Sequence, residues 1–306
     1  MAVEQTSASP AVAKPVSRPT AATARQQLPF TKLVQRVVYF ALLIGFTILF
    51  VYPFVWLVSA SLKEGSEVFN REIIPDPIVF ENYPRLLELV PRFPQWAFNS
   101  VAVSLLAAVT VTLSSALVAF GFAYFRFPGR NILFGVLLAS MMLPGVVTMI
   151  PTFLIWDALG FYNTLTPLWA GNLFASAFYV FLLRQFFLGL PRELFEAARV
   201  DGANYLRMWW TIAMPLTMPA LIVVFVFELK AAWTDLFKPL IFLQDPALYT
   251  LSRGLKAVID NPSIGGAKEW ELLAAAGVIT TIPMIVVFFL GQRYFIEGIA
   301  TTGSKG

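Results

Sequence analysis

Residues 98–122 read FNSVAVSLLAAVTVTLSSALVAFGF and contain no charged side chain. A helix needs about 20 mostly apolar residues to cross the hydrocarbon core of a bilayer. This segment is longer than that, and its polar side chains are only small hydroxyl groups and one amide. It therefore predicts a membrane-spanning helix.

Five further segments have the length and apolarity of a membrane span. The fifth of the six is interrupted by Glu228, Lys230 and Asp235. A soluble α-helical core is the alternative, but six long apolar runs leave too few amphipathic segments to cover it. The predicted fold is therefore all-α, a polytopic membrane protein with six transmembrane helices: 37–59, 98–122, 132–154, 168–187, 219–236 and 272–290.

The composition agrees with a membrane protein and excludes several kinds of site. Of the 306 residues, 58% are hydrophobic and 13% are charged, whereas soluble domains carry about 25% charged residues. The sequence has no cysteine and no histidine, which excludes disulfides, Cys/His metal sites and histidine-dependent triads. It contains no Walker A loop and no nucleophile elbow, and its basic residues form no nucleic-acid stripe. We expect no enzyme active site, no metal site and no nucleic-acid partner.

The charge distribution predicts the orientation. The segment 1–31 is rich in Ala, Ser, Thr, Pro and Gln, which predicts a disordered cytoplasmic tail. A signal peptide fits poorly, because the apolar segment from residue 37 is too long and too far from the start. Arginines concentrate in the short loops 124–131 and 189–216. The positive-inside rule then places both termini in the cytoplasm.

Small residues recur at intervals of four along the second predicted span. Such spacing lets helix backbones approach closely, which favours association in lipid. Chance in an alanine-rich sequence is the alternative. The two series are Ala108, Thr112, Ala116 and Ser115, Ala119, Ala123.

Between the fourth and fifth predicted spans, residues 190–204 read LPRELFEAARVDGAN. Glu193 and Glu196 lie near the positive end of a helix, where acidic groups are favoured. Gly202 stands where a helix ends in a left-handed turn. The pattern predicts two short helices separated by a glycine, in a cytoplasmic loop over about 190–216.

This segment also carries a motif. Glu196-Ala197-Ala198-x-x-Asp201-Gly202-Ala203, followed after eight residues by Ile212-x-Met214-Pro215, resembles the EAA loop of membrane-spanning subunits of ABC importers. Met214 departs from the usual leucine, and the end of the tail at about 292–306 departs from the family's usual ending. Further matches within 37–306 are similar to the carbohydrate branch, the MalG-like permeases. They are Ser61-Leu62-Lys63, Phe98-Asn99-Ser100-Val101, Phe125-Arg126-Phe127-Pro128-Gly129-Arg130, Leu182-Leu183-Arg184-Gln185-Phe186-Phe187 and Gln292-Arg293-Tyr294-Phe295-Ile296-Glu297-Gly298.

The resemblance implies a type I ABC importer permease fold over 32–306, with several partners. A second, MalF-like permease subunit would complete the pathway through the lipid bilayer. Two copies of a cytoplasmic ABC ATPase subunit would bind ATP and Mg, and an extracytoplasmic solute-binding protein would deliver solute. The chain itself would bind no cofactor.

By the same resemblance, the EAA loop would act as a coupling helix in a groove of the ATPase. The alternative for Glu196 is a purely local role at the helix dipole. The coupling residues would be Glu196, Ala197, Ala198, Asp201, Gly202 and Ala203.

Glu228 and Asp235 are seven residues apart, so helical periodicity places them on one face of the fifth span. Ionisable groups within spans usually face the bundle interior or a water-filled cavity. We expect both carboxyl groups to line the solute path and to accept hydrogen bonds from sugar hydroxyls. The alternative is a structural pair with Lys230, Lys238 or the partner permease.

The outer loop between the fifth and sixth spans contains a turn-rich tip. By resemblance, this tip would reach toward the binding protein and help to release solute. The alternative is an ordinary solvated loop. Its residues are Asn261, Pro262, Ser263, Gly265 and Gly266.

Together these features predict a permease subunit for a sugar or oligosaccharide in a bacterial or archaeal inner membrane. An importer of glycerol phosphate or a polyol is the main alternative. A membrane-embedded enzyme or an assembly factor is more remote. A self-sufficient secondary transporter normally has inverted repeats and broken spans, and the sequence indicates neither.

Overall fold

A computed structural model describes residues 30–261 and 269–303. The predicted N-terminal tail lies outside this part up to residue 29, and the first helix begins at Phe30. Residues 262–268 of the outer loop and residues 304–306 of the C-terminal tail also lie outside it.

The described part of the chain is α-helical and contains no strand. Short 3₁₀ segments and one π-helical segment, Trp209–Ala213, join some of the helices. The helices are α1 (Phe30–Ser61), α2 (Asn82–Leu89), α3 (Phe93–Tyr124), α4 (Arg130–Ser140), α5 (Gly145–Ala158), α6 (Thr166–Trp169), α7 (Ala177–Leu188), α8 (Arg192–Val200), α9 (Tyr205–Met208), α10 (Met214–Leu216), α11 (Met218–Thr234), α12 (Phe237–Phe242), α13 (Leu251–Asp260) and α14 (Trp270–Gly303).

The described part of the chain divides after Tyr52 into two compact units. In the first unit, residues 30–52 form the amino-terminal part of α1, and the apolar side chains of residues 32–52 are exposed. The second unit contains all the other helices and every site considered below.

The helix lengths are consistent with the six predicted spans. Four helical segments are long and apolar enough to cross a membrane: Lys32–Ser61, Phe93–Tyr124, Thr166–Leu188 and Trp270–Tyr294. Two bent pairs, α4 with α5 and the helical stretch Tyr205–Leu216 with α11, raise the number to six if each pair is counted as one span.

The third predicted span is not straight, so the expectation of unbroken spans is wrong. α4 and α5 meet at an angle of 100° across residues 141–144. Pro144 disfavours the helical conformation at Leu143, and it has no N–H to continue the helix. Its own backbone is extended, and α5 begins at the next residue, Gly145.

The core of the second unit forms around α3, which packs against α7 and α11. Both predicted small-residue series are buried, and Ala108, Ser115, Ala116 and Ala119 have no exposed surface. Their small side chains let the neighbouring helices approach, as expected for packing in lipid. The predicted packing face is therefore confirmed.

Opposite ends of α3 carry different loops. At its amino-terminal end, Trp96 Nε1 donates to the Pro246 carbonyl at 2.7 Å, and Ser100 Oγ accepts from Leu251 N at 2.7 Å. At its carboxyl-terminal end, the ring of Tyr124 lies 5.4 Å from that of Phe195 in α8. Since 32 residues extend about 48 Å, the predicted outer loops and the 190–216 loop lie far apart.

Candidate functional site

Helix α8 forms where the sequence predicts the first helix of the loop. Pro191 precedes it in an extended conformation and fixes the entry of the chain. Glu193 lies in the first turn and Arg199 in the last. Both charges are placed favourably for the helix dipole.

Gly202 ends α8 as the sequence predicts. Its φ is +79°, a conformation that glycine adopts without the steric cost of a side chain. Gly202 N donates to the Arg199 carbonyl at 3.0 Å, and Ala203 N donates to the Ala198 carbonyl at 2.9 Å. This pair of bonds is the Schellman arrangement, which satisfies the last carbonyls of the helix.

The second short helix starts three residues after Gly202, at Tyr205. Asn204 Oδ1 accepts from Arg207 N at 2.8 Å and caps α9. The helical path continues through the π-helical segment and α10 to Leu216. The predicted arrangement of helix, glycine and helix is therefore confirmed.

A single aromatic side chain anchors α8 to the bundle. Phe195 is the one buried residue of this helix, and its ring lies 5.9 Å from that of Phe120 and 5.4 Å from that of Tyr124. After the glycine, Tyr205 packs edge-on against Phe125 at 4.8 Å. Sequence reasoning missed Phe195, although a lone phenylalanine between charged residues is a signal of an inward face.

The opposite face of α8 is open. Glu196, Ala197, Asp201 and Gly202 are exposed, while Ala198 and Ala203 are half-buried. Val200 is 89% exposed. Within the described residues, Glu196 makes no hydrogen bond or ion pair. The predicted coupling residues thus form one short surface. Its acidic groups, Glu196 and Asp201, have no side-chain hydrogen bond or ion pair within the described residues.

Glu228 lies in a polar cluster between α3, α7 and α11. Asn172 Nδ2 donates to Glu228 Oε1 at 2.6 Å and contacts the Ala107 carbonyl at 3.2 Å. Tyr179 of α7 lies close to the Glu228 carboxyl group. Sequence reasoning singled out Glu228 but missed Asn172, whose amide in an apolar run was the available signal.

Asp235 does not share a helical face with Glu228, so that expectation is wrong. α11 ends at Thr234, and Asp235 has an extended backbone. Its Oδ1 accepts from Phe237 N at 3.0 Å and from Lys238 N at 3.3 Å, which starts α12. A side chain that caps the next helix satisfies orphan N–H groups and favours termination of the preceding one.

The described part of the outer loop ends at Asn261, directly after α13. Pro262, Ser263, Gly265 and Gly266 lie outside the described residues. Asn261 lines an open cavity of about 520 Å³. Arg92, Trp96 and Tyr249 also line it, at the amino-terminal end of α3.

Residues 108–301 match the family described as "Binding-protein-dependent transport system inner membrane component". The arabinooligosaccharides transport system permease protein AraQ of Bacillus subtilis strain 168 is 31% identical over 264 residues, which cover 85% of this chain and 92% of that protein. The sn-glycerol-3-phosphate transport system permease protein UgpE of Yersinia enterocolitica is 33% identical, and the match covers 84% of this chain and 93% of that protein.

A solved structure is similar as well. It is a chain of a bacterial ABC transporter involved in the import of the acidic polysaccharide alginate. The TM-score is 0.78 at 26% identity, over 88% of this chain and 99% of that one.

Proposed function

The chain belongs to the family of binding-protein-dependent transport system inner membrane components, and we propose that it forms half of the translocation pathway for a sugar or oligosaccharide. It is a transporter component rather than an enzyme. In this proposal, separate ATPase subunits drive it through α8 and the turn that follows.

The main support for this proposal is the arrangement of buried and exposed side chains on α8. One face is fixed to the bundle through Phe195, and the other presents Glu196, Ala197 and Asp201 without partners in the described chain. An exposed acidic face with small side chains suits docking in a groove of another protein. ATP and Mg then bind to the ATPase subunits, which agrees with the lack of a Walker A loop in this sequence.

The proposed assembly contains a second, MalF-like permease, two copies of a cytoplasmic ABC ATPase subunit and an extracytoplasmic solute-binding protein. α8 then lies in the cytoplasm, and both termini do as well. Arg192 and Arg199 of α8 and Arg207 of α9 support this orientation. Its position at the end of α3 opposite the other long loops supports it too.

Within the membrane, we propose that Glu228 lines the solute path. A half-buried carboxyl group in a span faces protein or water rather than lipid. Asp235 is not assigned to the path, because two backbone N–H groups occupy its Oδ1. On the outer side, we assign Asn261, Pro262, Ser263, Gly265 and Gly266 to contact with the binding protein.

The solute class is supported by the relatives' names. AraQ is named for arabinooligosaccharides and UgpE for sn-glycerol 3-phosphate. Glycerol phosphate is therefore the second candidate. All of these solutes present hydroxyl groups.

Co-purification from native membranes tests the assembly. The complex should contain an ATPase, a second permease and a binding protein. Its ATP hydrolysis in proteoliposomes should rise with a loaded binding protein. Arabinotriose and sn-glycerol 3-phosphate are the two solutes to compare. A polypeptide that purifies alone and transports either solute without ATP would refute the proposal.

Glu196→Ala tests the coupling surface, with Glu193→Ala as the matched control on the same helix. Glu196→Ala should leave the chain inserted but reduce transport per assembled complex, whereas Glu193→Ala should retain most of it. Equal transport in both variants would mean that Glu196 has only a local role at the helix dipole. In that role an acidic group stabilises the helix by about 0.3–1 kcal/mol.

A further inference from the structure

The fourth span is unwound in its interior. A 3₁₀ segment, Ala170–Phe174, separates α6 from α7. Ala175 then has a positive φ of 65° and Ser176 is extended. Positive φ is uncommon for a residue with a side chain, so the surrounding structure must hold it.

Side chains from α3 hold this break. Ser176 N donates to Ser115 Oγ at 3.1 Å, and Ser114 Oγ donates to the Asn172 carbonyl at 2.8 Å. The Asn172 side chain itself bridges α3 and Glu228 in α11. The unwound segment is therefore fixed between two helices by polar contacts rather than by apolar packing alone.

The break lies at membrane depth. Ala107, which contacts Asn172, is about 21 Å from the start of α3, a helix about 48 Å long. Glu228 is about 15 Å from the start of α11. Ala107 is well inside α3, and Glu228 is about 9 Å from the carboxyl-terminal end of α11, so the cluster lies within the length of both spans.

Part of the unwound segment is uncovered. Gly171 is exposed, and Leu173 and Phe174 are 52% and 84% exposed. Irregular backbone at membrane depth does not face lipid, because its polar groups find no partner there. It is tolerated where protein buries it or where it lines a water-filled cavity. The adjacent carboxyl group favours the water-filled cavity.

We propose that Asn172 and Glu228, presented beside the unwound segment 170–176, form a hydroxyl-binding element in the translocation path. Both Nδ2 hydrogens of Asn172 are donated, to Glu228 Oε1 and to the Ala107 carbonyl. Asn172 Oδ1 and the second oxygen of the Glu228 carboxyl group therefore serve as acceptors, which matches two vicinal hydroxyls of a sugar or polyol that donate. The assignment rests on the proposed import function and adds to it the second residue and the backbone element that contact the solute.

Thiol labelling tests whether the segment lines a water-filled path. The chain has no native cysteine, so Gly171→Cys and Phe174→Cys can be probed with a charged methanethiosulfonate in the assembled transporter. The reagent should be applied from both sides of the membrane. Val224→Cys, at a fully buried position, is the unreactive control, and Val200→Cys is the reactive one.

Both test cysteines should react faster than the Val224→Cys control, and transported solute should slow the reaction. Rates equal to the buried control would mean that lipid or the partner permease covers the segment, and would overturn the proposal. Labelling does not depend on ATPase coupling, so this result stands even if the role of α8 is wrong.

Transport by Asn172→Ala and Glu228→Gln tests the contact itself. The control is Asn99→Ala, because Asn99 Nδ2 likewise donates two hydrogen bonds, here to the Ala247 and Tyr249 carbonyls at the outer end of α3. Per assembled complex, solute uptake should fall about tenfold in Asn172→Ala, as the loss of a good hydrogen bond allows. It should fall less in Glu228→Gln and remain near normal in Asn99→Ala.

ATP hydrolysis stimulated by the loaded binding protein should persist in the Asn172 and Glu228 variants. Failure of the coupling proposal would instead remove that stimulation. If Asn172→Ala only lowers the amount of complex, with normal uptake per complex, the residue is structural and the proposal fails.

Discussion

The ring of Phe195 lies 5.9 Å from the ring of Phe120 and joins α8 to the carboxyl-terminal end of α3. Because Phe195 is the one buried residue of α8, we expect a displacement of the helix to reach the bundle mainly through this contact. Helix and bundle are thus connected through a small aromatic cluster, while the opposite face of the helix stays available.

Phe195→Ala should weaken that connection. Truncation of a buried phenylalanine costs about 3–5 kcal/mol in a well-packed core. The loss should fall on the docking of α8, giving lower solute uptake per ATP hydrolysed in proteoliposomes. Leu194→Ala is the control, since Leu194 is exposed on the same helix. Unchanged coupling in Phe195→Ala would show that Tyr205 holds the loop without it.

Gly202→Ala should destabilise the loop through the backbone alone. An added Cβ meets no atom within 4 Å, but φ is +79°, and a left-handed conformation costs about 1–2 kcal/mol for residues with a side chain. Gly202→Asn should be milder, because asparagine tolerates this conformation.

Protease accessibility of the loop and coupled ATP hydrolysis are the measurements for Gly202. Gly189→Ala is the matched control in the same region, where φ is −82°. Equal effects of Gly202→Ala and Gly189→Ala would contradict the backbone explanation.

Single cysteines should report the sidedness of the loops. Val200 is 89% exposed on α8, and Ile74 is 78% exposed between α1 and α2. A membrane-impermeant maleimide should label Val200→Cys in inside-out vesicles and Ile74→Cys in spheroplasts. The reverse pattern would place the termini outside, and labelling of both from one side would contradict their separation along α3.

Gly254→Ala should destabilise the outer end of the bundle. A Cβ at this position would overlap the indole ring of Trp96, which is held by its bond to the Pro246 carbonyl. Overpacking of this kind costs about 1–3 kcal/mol, so the thermal unfolding midpoint in detergent should fall.

Gly121→Ala is the control for Gly254, because a Cβ there meets nothing within 4 Å. The double variant Gly254→Ala with Trp96→Leu should recover part of the loss caused by the clash. A midpoint for Gly254→Ala as high as that of Gly121→Ala would disagree with the packing described.

Local rules predict much of this fold and of α8. Length and apolarity locate the spans, and the small-residue series locate the packing face of α3. Gly202 ends α8 as its position indicates, because the Schellman turn depends on a few neighbouring residues. These features are determined by short stretches of chain.

Of the features that sequence reasoning missed, one depends on contacts between distant residues and two are local. The break at 170–176 is held by Ser114 and Ser115 from another helix, which periodicity within one span does not reveal. The apolar run of the fifth span predicts a helix that continues through Asp235. In the structure α11 ends at Thr234, and the Asp235 carboxyl group instead accepts from the first N–H group of α12. The bend at residues 141–144 has a local signal in Pro144, but the length and apolarity of a segment do not reveal a break at a proline.

α3 differs from the other long helices in having no interior proline. α1 contains Pro53 and α14 contains Pro283, and proline removes a backbone hydrogen bond and kinks a helix. α3 is instead a continuous helix. The outer loops are hydrogen-bonded to its amino-terminal end, and Phe195 packs against Phe120 and Tyr124 at its carboxyl-terminal end. We therefore expect a displacement at either end of α3 to be transmitted along the helix axis with little bending in between.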